Sequence, residues 1–313
     1  MSTLTIKRYN PSMEGEWNRV VSESRNGTFL IDRKYLDYHS DRFSDHSLVI
    51  EMGGDIIAVF AANEKGRNIY SHQGLTYGGL IMTSRCKGAV VVEIFDKIVE
   101  YYRGLGYEEL TYKQIPHIYH TKPSEEDLYS LYRHNAQISS CGISSTINLS
   151  EEILFSSLRS RGVKKAIANG VVIKEETDFS KFWQILTSNL ESRHSVSPVH
   201  TLSEITLLKS RFPENIRLYT ATKDGEILAG VVIYESAKCA HSQYIASSQE
   251  GRNLSALDLL FSYLIKEQYR EYKYFDFGIS TEDGGAILNN GLLSQKEGFG
   301  ASAVVYNSYK IKL

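Results

Sequence analysis

The sequence predicts an α/β protein with mixed β-sheets, built as two tandem copies of one module. Three observations support this prediction. The chain has 313 residues, a length that suits two domains better than one. Its apolar share of 42% and charged share of 23% are typical of a globular protein with a sizeable core. Two segments about 170 residues apart repeat the order hairpin, strand, helix and strand.

The repeated unit begins at Leu48 in the first copy and at Leu218 in the second. In each copy an apolar stretch turns at a Gly-Asp or Asp-Gly pair and continues as a β-branched run, which predicts a β-hairpin. The strand after the hairpin is expected to carry His72 in the first copy and His241 in the second. Chance similarity between two such units is the alternative, but the shared order and the nearly constant offset favour duplication.

An amphipathic helix is predicted after each histidine strand, because apolar residues recur there at helical spacing. These residues are Val91, Ile94, Phe95, Ile98 and Tyr102 in the first copy and Leu257, Leu260, Phe261, Leu264 and Ile265 in the second. A further strand should follow each helix, at Glu109–Lys113 and Tyr272–Gly278. Hairpins give antiparallel neighbours and helical crossovers give parallel ones, so each sheet should be mixed. We place the modules at residues 1–148 and 149–313.

Composition excludes several function classes. The net charge of −2 and the pI near 6.5 give no reason to expect DNA as a partner. The three cysteines, Cys86, Cys141 and Cys239, are far apart and form no CxxC pair, so neither a disulfide framework nor a metal site is predicted. The N-terminus lacks the apolar core of a signal peptide, and no apolar run is long enough to span a membrane. We therefore expect a cytoplasmic protein, of open oligomeric state.

The last part of the chain resembles a known group of acyltransferases. It contains Phe275–Ser280, then Leu288–Leu292, then Gln295–Ala301, in which Lys296-Glu297-Gly298-Phe299-Gly300 reads K-x-x-F-G. This succession is similar to the strand, loop and ending of the FemAB-like and BioF2-like enzymes, which carry tandem GNAT modules. The resemblance covers the whole chain in architecture and the last 60 or so residues in motif.

The resemblance implies that an acyl-CoA is the co-substrate, bound by the second module, with no metal. The matching loop is Ser248–Ala256, and its candidate donor-binding residues are Gln249, Gly251, Arg252, Asn253 and Ser255. The phosphates would sit on the following helix N-terminus, with Arg252 as counter-charge and Ser255 as N-cap or phosphate donor. The loop departs from the Q/R-x-x-G-x-G/A pattern of typical acyl-CoA loops, since it has one glycine.

Four residues are candidates for catalysis. His241 could act as a base, although a histidine in an apolar strand is often a core residue. Tyr244 is the alternative proton donor or positioning hydroxyl, and strand alternation puts it on the face opposite His241. Asp276, at a strand end, is a second candidate base or a turn cap. Lys296, supported by the resemblance, could bind a donor phosphate or stabilise an oxyanion.

Six further residues are candidates for contact with the acceptor. His194 and His200 lie in a polar stretch predicted as a loop between two helices, and loops over clefts often carry function. The first module looks less suited to a phosphate and is expected to shape the acceptor groove. The complete set of acceptor candidates is His194, His200, His72, Tyr77, Glu282 and Asn289.

The sequence thus predicts an N- or O-acyltransferase. Its acceptor would be a small amine or hydroxyl compound, such as an amino sugar, an amino acid or a cell-envelope precursor. One alternative is an aminoacyl-tRNA-dependent peptidyltransferase of the Fem type, against which the acidic net charge counts mildly. Another is a non-catalytic binding protein with decayed GNAT-like modules.

Overall fold

The computed structural model describes residues 3–194 and 197–313, and the side chains of residues 192–194 lie outside this description. The chain divides into two compact units. The first unit runs to Gly142 and includes Thr281–Ile287 and Val305–Leu313, and the second comprises Ile143–Ser280 and Leu288–Val304. This division differs from the predicted boundary at 148/149. The C-terminal strand joins the first unit because it pairs with Glu109–Lys113.

The elements up to residue 148 are β1 (Leu4–Arg8), α1 (Glu14–Glu23), α2 (Arg33–Leu36), β2 (Ser44–Asp45), β3 (Leu48–Met52), β4 (Asp55–Phe60), β5 (Asn63–Lys65), β6 (Asn68–Tyr70), β7 (Leu80–Met82), α3 (Gly88–Gly104), β8 (Glu109–Lys113), α4 (Glu126–Arg133) and β9 (Gln137–Asn148). The remaining elements are α5 (Ser157–Ala168), β10 (Val172–Glu176), α6 (Ser180–His194), α7 (Leu202–Arg211), β11 (Ile216–Lys223), β12 (Glu226–Glu235), β13 (Cys239–Ser247), α8 (Gln249–Asn253), α9 (Ala256–Tyr263), β14 (Tyr274–Ile279), β15 (Thr281–Glu282), β16 (Ile287–Leu288), α10 (Asn290–Glu297) and β17 (Ser302–Lys312).

Each unit has parallel and antiparallel strand pairs. In the first unit β1, β3, β4 and β7 form an antiparallel sheet, while β8 pairs antiparallel with β17 and parallel with β6. In the second unit the order is β10-β11-β12-β13-β14-β9, and the β13–β14 pairing is parallel. The predicted α/β class with mixed sheets is therefore confirmed.

Both predicted hairpins are present, as β3–β4 and β11–β12. Their turns contain Gly53 and Gly54 in the first unit and Asp224 and Gly225 in the second, all with positive φ. Positive φ at both central residues matches the right-handed twist of a hairpin, which explains the glycines and the aspartate.

The predicted helix faces lie in the cores. In α3 all five predicted residues are buried, and around α9 four of the five are buried, with Leu257 packed against them. A π-helical turn at Leu264–Gln268 continues α9 and keeps its last apolar residues on the sheet.

The first copy of the histidine strand is interrupted, contrary to prediction. β6 ends at Tyr70, and His72 adopts a left-handed φ of 65° in the loop before β7. The loop turns back on itself at Gly78, where a Cβ would lie 2.1 Å from the carbonyl oxygen of Ser71. By strand register Tyr70, opposite Thr111, takes the place that His241 has in the second unit. The predicted equivalence of His72 and His241 is wrong.

A β-bulge also changes the faces of β13. Val232 pairs with Tyr244 and Ile233 with Ser242, so Gln243 is an extra residue. An extra residue inverts the alternation beyond it. Ala240 and Ile245 accordingly both pack on the same core. His241 and Tyr244 therefore share the other face, and the prediction of opposite faces is wrong.

Helices α5 and α9 approach closely at a glycine. A Cβ on Gly162 would lie 1.9 Å from Oδ2 of Asp258. On the same helix Arg159 donates to the Asp258 carboxylate at 2.6 Å. The glycine and the ion pair together fix the first turn of α9 beside α5.

This close approach predicts a local sensitivity to volume. Gly162→Ala should lower the free energy of unfolding by about 1–3 kcal/mol, because the new methyl group displaces the Asp258 carboxylate from Arg159. Gly88→Ala in α3, where a Cβ would meet no atom within 4 Å, is the matched control and should stay within about 0.5 kcal/mol of the parent. Urea unfolding of both variants checks this, and equal midpoints would contradict it.

Candidate active site

The described pairing of β13 with β14 ends in a histidine and an aspartate. Three residue pairs join the two strands, and His241 opposite Asp276 is the last. Nδ1 of His241 lies 2.7 Å from Oδ2 of Asp276. The Asp276 side chain is fully buried, whereas that of His241 is 12% exposed. The two candidate bases of the sequence thus form one hydrogen-bonded pair.

Two hydroxyl groups hold the other oxygen of Asp276. Ser144 and Thr146, both on β9, donate to Oδ1 at 2.5 and 2.7 Å. Burial alone would raise the pKa of Asp276, but the hydrogen bond and charge of His241 and the two hydroxyls together hold this pKa below its ordinary value. A charged carboxylate at this distance accepts a hydrogen bond from Nδ1–H, so in a neutral His241 the proton is on Nδ1 and Nε2 is the basic nitrogen.

Lys296 is attached to the end of β14. It is buried, and Nζ donates to the carbonyl oxygens of Gly278 and Ile279 at 2.7 and 2.9 Å. Burial lowers the pKa of Lys296 to about 8, and the charge of Asp276 opposes this shift. Gly278 has a φ of 78°, and a Cβ there would reach Cε1 of His241 at 3.4 Å, so the glycine leaves that edge of the ring uncovered.

An inner cavity of about 320 Å³ opens where β13 and β14 separate. Its lining includes Ile245 and Ser247 of β13, Phe277 of β14, Phe299 and the buried Lys296. Apolar walls with one buried ammonium group can hold an apolar chain beside a developing negative charge.

An outer cavity of about 420 Å³ adjoins the inner one, with which it shares Ser247, Arg252, Leu257 and Gln295. Its charged lining residues are Arg159, Arg161, Lys165, Arg252 and Asp258. Four cations against one carboxylate make this cavity basic, which suits an anionic group.

Comparison with known proteins identifies the fold. Residues 159–283 match the acetyltransferase (GNAT) domain family. A tandem GNAT protein from the clavulanic acid biosynthesis pathway aligns with 99% of the chain and 98% of its own, at 12% identity and a TM-score of 0.53. The chain has the GNAT fold. The resemblance predicted from the C-terminal motif is confirmed for this fold.

Other GNAT-fold structures are more similar in shape. FemX covers 99% of the chain and 97% of its own, with a TM-score of 0.70 at 11% identity. The C-terminal domain of a protein described as a lysylphosphatidylglycerol synthetase from Agrobacterium fabrum covers 96% of the chain and 92% of its own, with a TM-score of 0.63 at 14% identity. No curated protein sequence matches the chain. At these identities the structural similarity establishes the fold alone.

The predicted donor loop of the GNAT fold is a helical turn here. The Ser248 hydroxyl caps α8 by accepting from the amide of Gly251 at 3.0 Å. Gly251 is required because a Cβ would lie 2.2 Å from the Leu228 carbonyl oxygen. Gln249 and Asn253 hydrogen-bond to each other, while Gly251, Arg252 and Ser255 line the outer cavity.

Two candidate donor-binding residues, Ser255 and Arg252, are positioned by the backbone around α8 and α9. Ser255 is at the N-cap of α9 with a φ of 58°, and its hydroxyl makes no cap hydrogen bond. Ser255 thus occupies the predicted N-cap position, but its side chain does not cap the helix. Arg252 donates to the Ser247 carbonyl at 2.6 Å and to the side chain of Gln249 at 2.8 Å, which fixes its guanidinium where the two cavities meet.

Tyr244 and His200 form a second polar pair in the second unit. The His200 Nδ1 and the Tyr244 hydroxyl are hydrogen-bonded, and both side chains are buried. The Tyr244 ring packs edge-to-face on Trp183 with centroids 5.0 Å apart. His194 is the last residue of α6 rather than part of a loop, and its side chain lies outside the described residues.

The two predicted acceptor residues near the C-terminus have different local environments. Asn289 caps α10, because its Oδ1 accepts from the amide of Leu292 at 3.0 Å. This is a structural role that the prediction of acceptor binding did not include. Glu282 is exposed and falls within the first unit.

The predicted acceptor residues of the first unit are buried. His72 stacks on His39 with centroids 5.2 Å apart. The Tyr77 hydroxyl bonds to Thr28 at 3.0 Å. Lys113 donates to three carbonyl oxygens of this loop, the shortest contact being 2.6 Å to Leu75. These contacts make the loop a packed part of its unit, and the acceptor role of His72 and Tyr77 stays a prediction.

Sequence reasoning missed Ser144 and Thr146. They lie 132 and 130 residues before Asp276, and only strand pairing brings them to its carboxylate. Their signal in the sequence is weak, because β9 also contains Ser139, Ser140 and Ser145, and nothing local distinguishes the two hydroxyls that reach Asp276.

Two broader expectations concern metals and membranes. Within residues 3–194 and 197–313, no group of three or more His, Cys, Asp or Glu side chains is arranged to hold a metal ion. Among the helices of these same ranges, none combines the length and the apolar character of a membrane span.

The burial of His72 predicts acid sensitivity. Burial, with the nearby charges of Lys113 and Arg33, lowers the pKa of His72 to about 3, from an ordinary value of 6.5. Between pH 6.5 and pH 3, His72 is therefore protonated in the unfolded chain but not in the folded chain. The free energy of unfolding accordingly falls as the pH decreases towards 3. This residue alone contributes a slope of about 1.4 kcal/mol per pH unit.

His72→Asn should remove that slope, because asparagine does not titrate and tolerates a positive φ. Urea unfolding between pH 7 and 4 measures the effect. Parallel pH dependences for the parent and the variant would refute it.

The hydroxyls around Asp276 predict a second pH effect. Ser144→Ala combined with Thr146→Val should raise the pKa of Asp276, because the lost bonds favour the charged carboxylate. Stability contributed by this carboxylate is present above its unfolded pKa and is lost as the pH falls through its folded pKa. The loss should therefore begin at a higher pH in the double variant, as followed by the carboxyl ¹³C signal of Asp276. Thr146→Ser is the conservative control, and an unshifted titration of the double variant would disprove the role.

Proposed function

We propose that the protein is an acyltransferase that moves an acyl group from acyl-CoA to an amine or hydroxyl of a small acceptor, with the donor bound in the second unit. The observation that carries this proposal is the hydrogen-bonded His241–Asp276 pair, the last residue pair that joins β13 and β14. Residues farther along the same two strands, Ile245 and Phe277, line the inner cavity. The GNAT match of residues 159–283 supports acyl transfer as the reaction class.

His241 is the proposed general base. Its Nδ1 donates to Asp276, so Nε2 is the ring nitrogen that would accept a proton from the attacking amine or hydroxyl. Asp276 stabilises the resulting imidazolium and fixes the ring orientation. Because Asp276 is itself held by Ser144 and Thr146, the base is oriented before substrate binds.

Acyl transfer then takes place by addition to the thioester and loss of the CoA thiolate. The acceptor N or O forms a bond to the thioester carbonyl carbon, and its proton passes to Nε2 of His241. The resulting oxyanion is stabilised by the ammonium group of Lys296 and by strand amides. The C–S bond breaks, and the leaving thiolate takes the proton from the imidazolium, which restores His241.

The two cavities support an acyl-CoA as the donor. The inner cavity is largely apolar and suits the acyl-pantetheine arm, while the basic outer cavity suits the phosphates. The hydroxyl of Ser255 and the guanidinium of Arg252 line the outer cavity. The predicted acceptor class, an amino sugar, amino acid or cell-envelope precursor, stays a prediction.

A second candidate donor is aminoacyl-tRNA. One observation favours it: the amides of Gly251, Arg252 and Leu254 are used within α8, where a typical acyl-CoA loop turns such groups to the pyrophosphate. The chemistry at His241 is the same for an ester donor.

His241→Gln tests the proposal. It should lower kcat for acceptor-dependent transfer from labelled acetyl-CoA by about 10²–10⁴-fold, while CoA still raises the melting temperature. His117→Gln, at an exposed histidine of the first unit, is the matched control and should keep full activity. The acceptor is sought among amino sugars, amino acids and cell-envelope precursors.

Full transfer by His241→Gln would reject His241 as the base. If the protein transfers from aminoacyl-tRNA and not from acetyl-CoA, the donor is an aminoacyl-tRNA and the acyl-CoA proposal is rejected. Absence of both, with no thermal shift by CoA far above a micromolar concentration, would favour a binding protein without catalysis.

A further inference from the structure

The basic outer cavity has one wall for which the proposed chemistry gives no role. This wall is α5, whose residues Leu158, Arg161, Gly162 and Lys165 line the cavity. They recur at helical spacing and therefore form one face of the helix. Lys164, on the same helix, lies outside that lining.

The cationic side chains around this cavity differ in whether they have hydrogen-bond or ion-pair partners. Arg159 is paired with Asp258 at 2.6 Å, and Arg252 is bonded to a carbonyl and to an amide side chain. Among the contacts of the described residues, the side chains of Arg161 and Lys165 have neither an ion pair nor a hydrogen bond. Two uncompensated cations thus face the same cavity.

The position of these cations is set by packing. Gly162 lets α5 approach the first turn of α9, and the Arg159–Asp258 pair neutralises the acid there. A helix face that served solubility alone would not need a glycine against a buried carboxylate. The arrangement brings Arg161 and Lys165 to the cavity that continues into the inner one, where the acyl group is proposed to lie.

We infer that Arg161 and Lys165 bind a phosphate group of the acyl donor, so that the enzyme selects a donor linked to a nucleotide over a short thioester. This inference rests on the proposed function, since it places that donor in the same pair of cavities. The phosphates of CoA are the source we favour, because a bounded cavity of about 420 Å³ suits a small ligand. The backbone of an RNA offers the same chemistry.

Binding measured by calorimetry tests the inference. The ligands are CoA, dephospho-CoA, pantetheine and a short acceptor-stem RNA, and the proteins are the parent, Arg161→Gln with Lys165→Gln, and Lys164→Gln. The double variant should bind CoA about tenfold more weakly and with a smaller dependence on salt, because two charge contacts are lost. Its affinity for pantetheine should equal that of the parent, and Lys164→Gln should behave as the parent with every ligand.

The outcomes separate this inference from the proposed function. If the double variant binds CoA as tightly as the parent does, the inference is overturned while the acyl-CoA proposal stands. If the parent binds RNA and not CoA, and the double variant weakens RNA binding, phosphate recognition by α5 is supported and the donor is replaced. If the parent binds neither, both proposals are overturned. Dephospho-CoA, which lacks the 3′-phosphate, identifies the phosphate that α5 contacts. If the double variant binds CoA more weakly than the parent but binds dephospho-CoA equally well, α5 contacts the 3′-phosphate.

Discussion

The candidate active site depends on the short pairing between β13 and β14. β13 stays paired with β12 as far as Ser247 but joins β14 for only three residue pairs. A sheet that stayed closed would satisfy these backbone groups along the whole strand and leave no space between the strands. The strands part after His241 and Asp276, so the sheet still fixes the side chains of this last pair. Residues farther along both strands, Ile245 and Phe277, line the inner cavity.

The strands on both sides of β14 explain how the buried carboxylate of Asp276 is tolerated. Removing a carboxylate from water costs several kcal/mol unless its oxygens are hydrogen-bonded. Both oxygens of Asp276 accept such bonds, one from His241 and the other from Ser144 and Thr146. The sheet supplies these donors from β13 on one side of β14 and from β9 on the other. A histidine so oriented is suited to accept a proton.

The sequence predicted features that depend on neighbouring residues, and missed those that depend on distant ones. Hairpin turns at Gly54 and Gly225 and the apolar faces of α3 and α9 follow from local periodicity and conformation. The bulge at Gln243 was missed because it shows only in the register of β13 against β12. Ser144 and Thr146 were missed because no local signal announces a hydroxyl that bonds a residue about 130 positions away.

Comparison of equivalent positions in the two units explains why we assign the chemistry to the second one. Both units have a helical crossover between two parallel strands, and both strand pairs join three residues. The third pair is His241 with Asp276 in the second unit and Tyr70 with Thr111 in the first. A tyrosine opposite a threonine offers no base near neutral pH. In addition, the chain leaves β6 after Tyr70 as a loop held by Lys113, whereas β13 continues to Ser247. The two units therefore share this frame, while one strand pair has the histidine and carboxylate on which the proposed proton transfer depends.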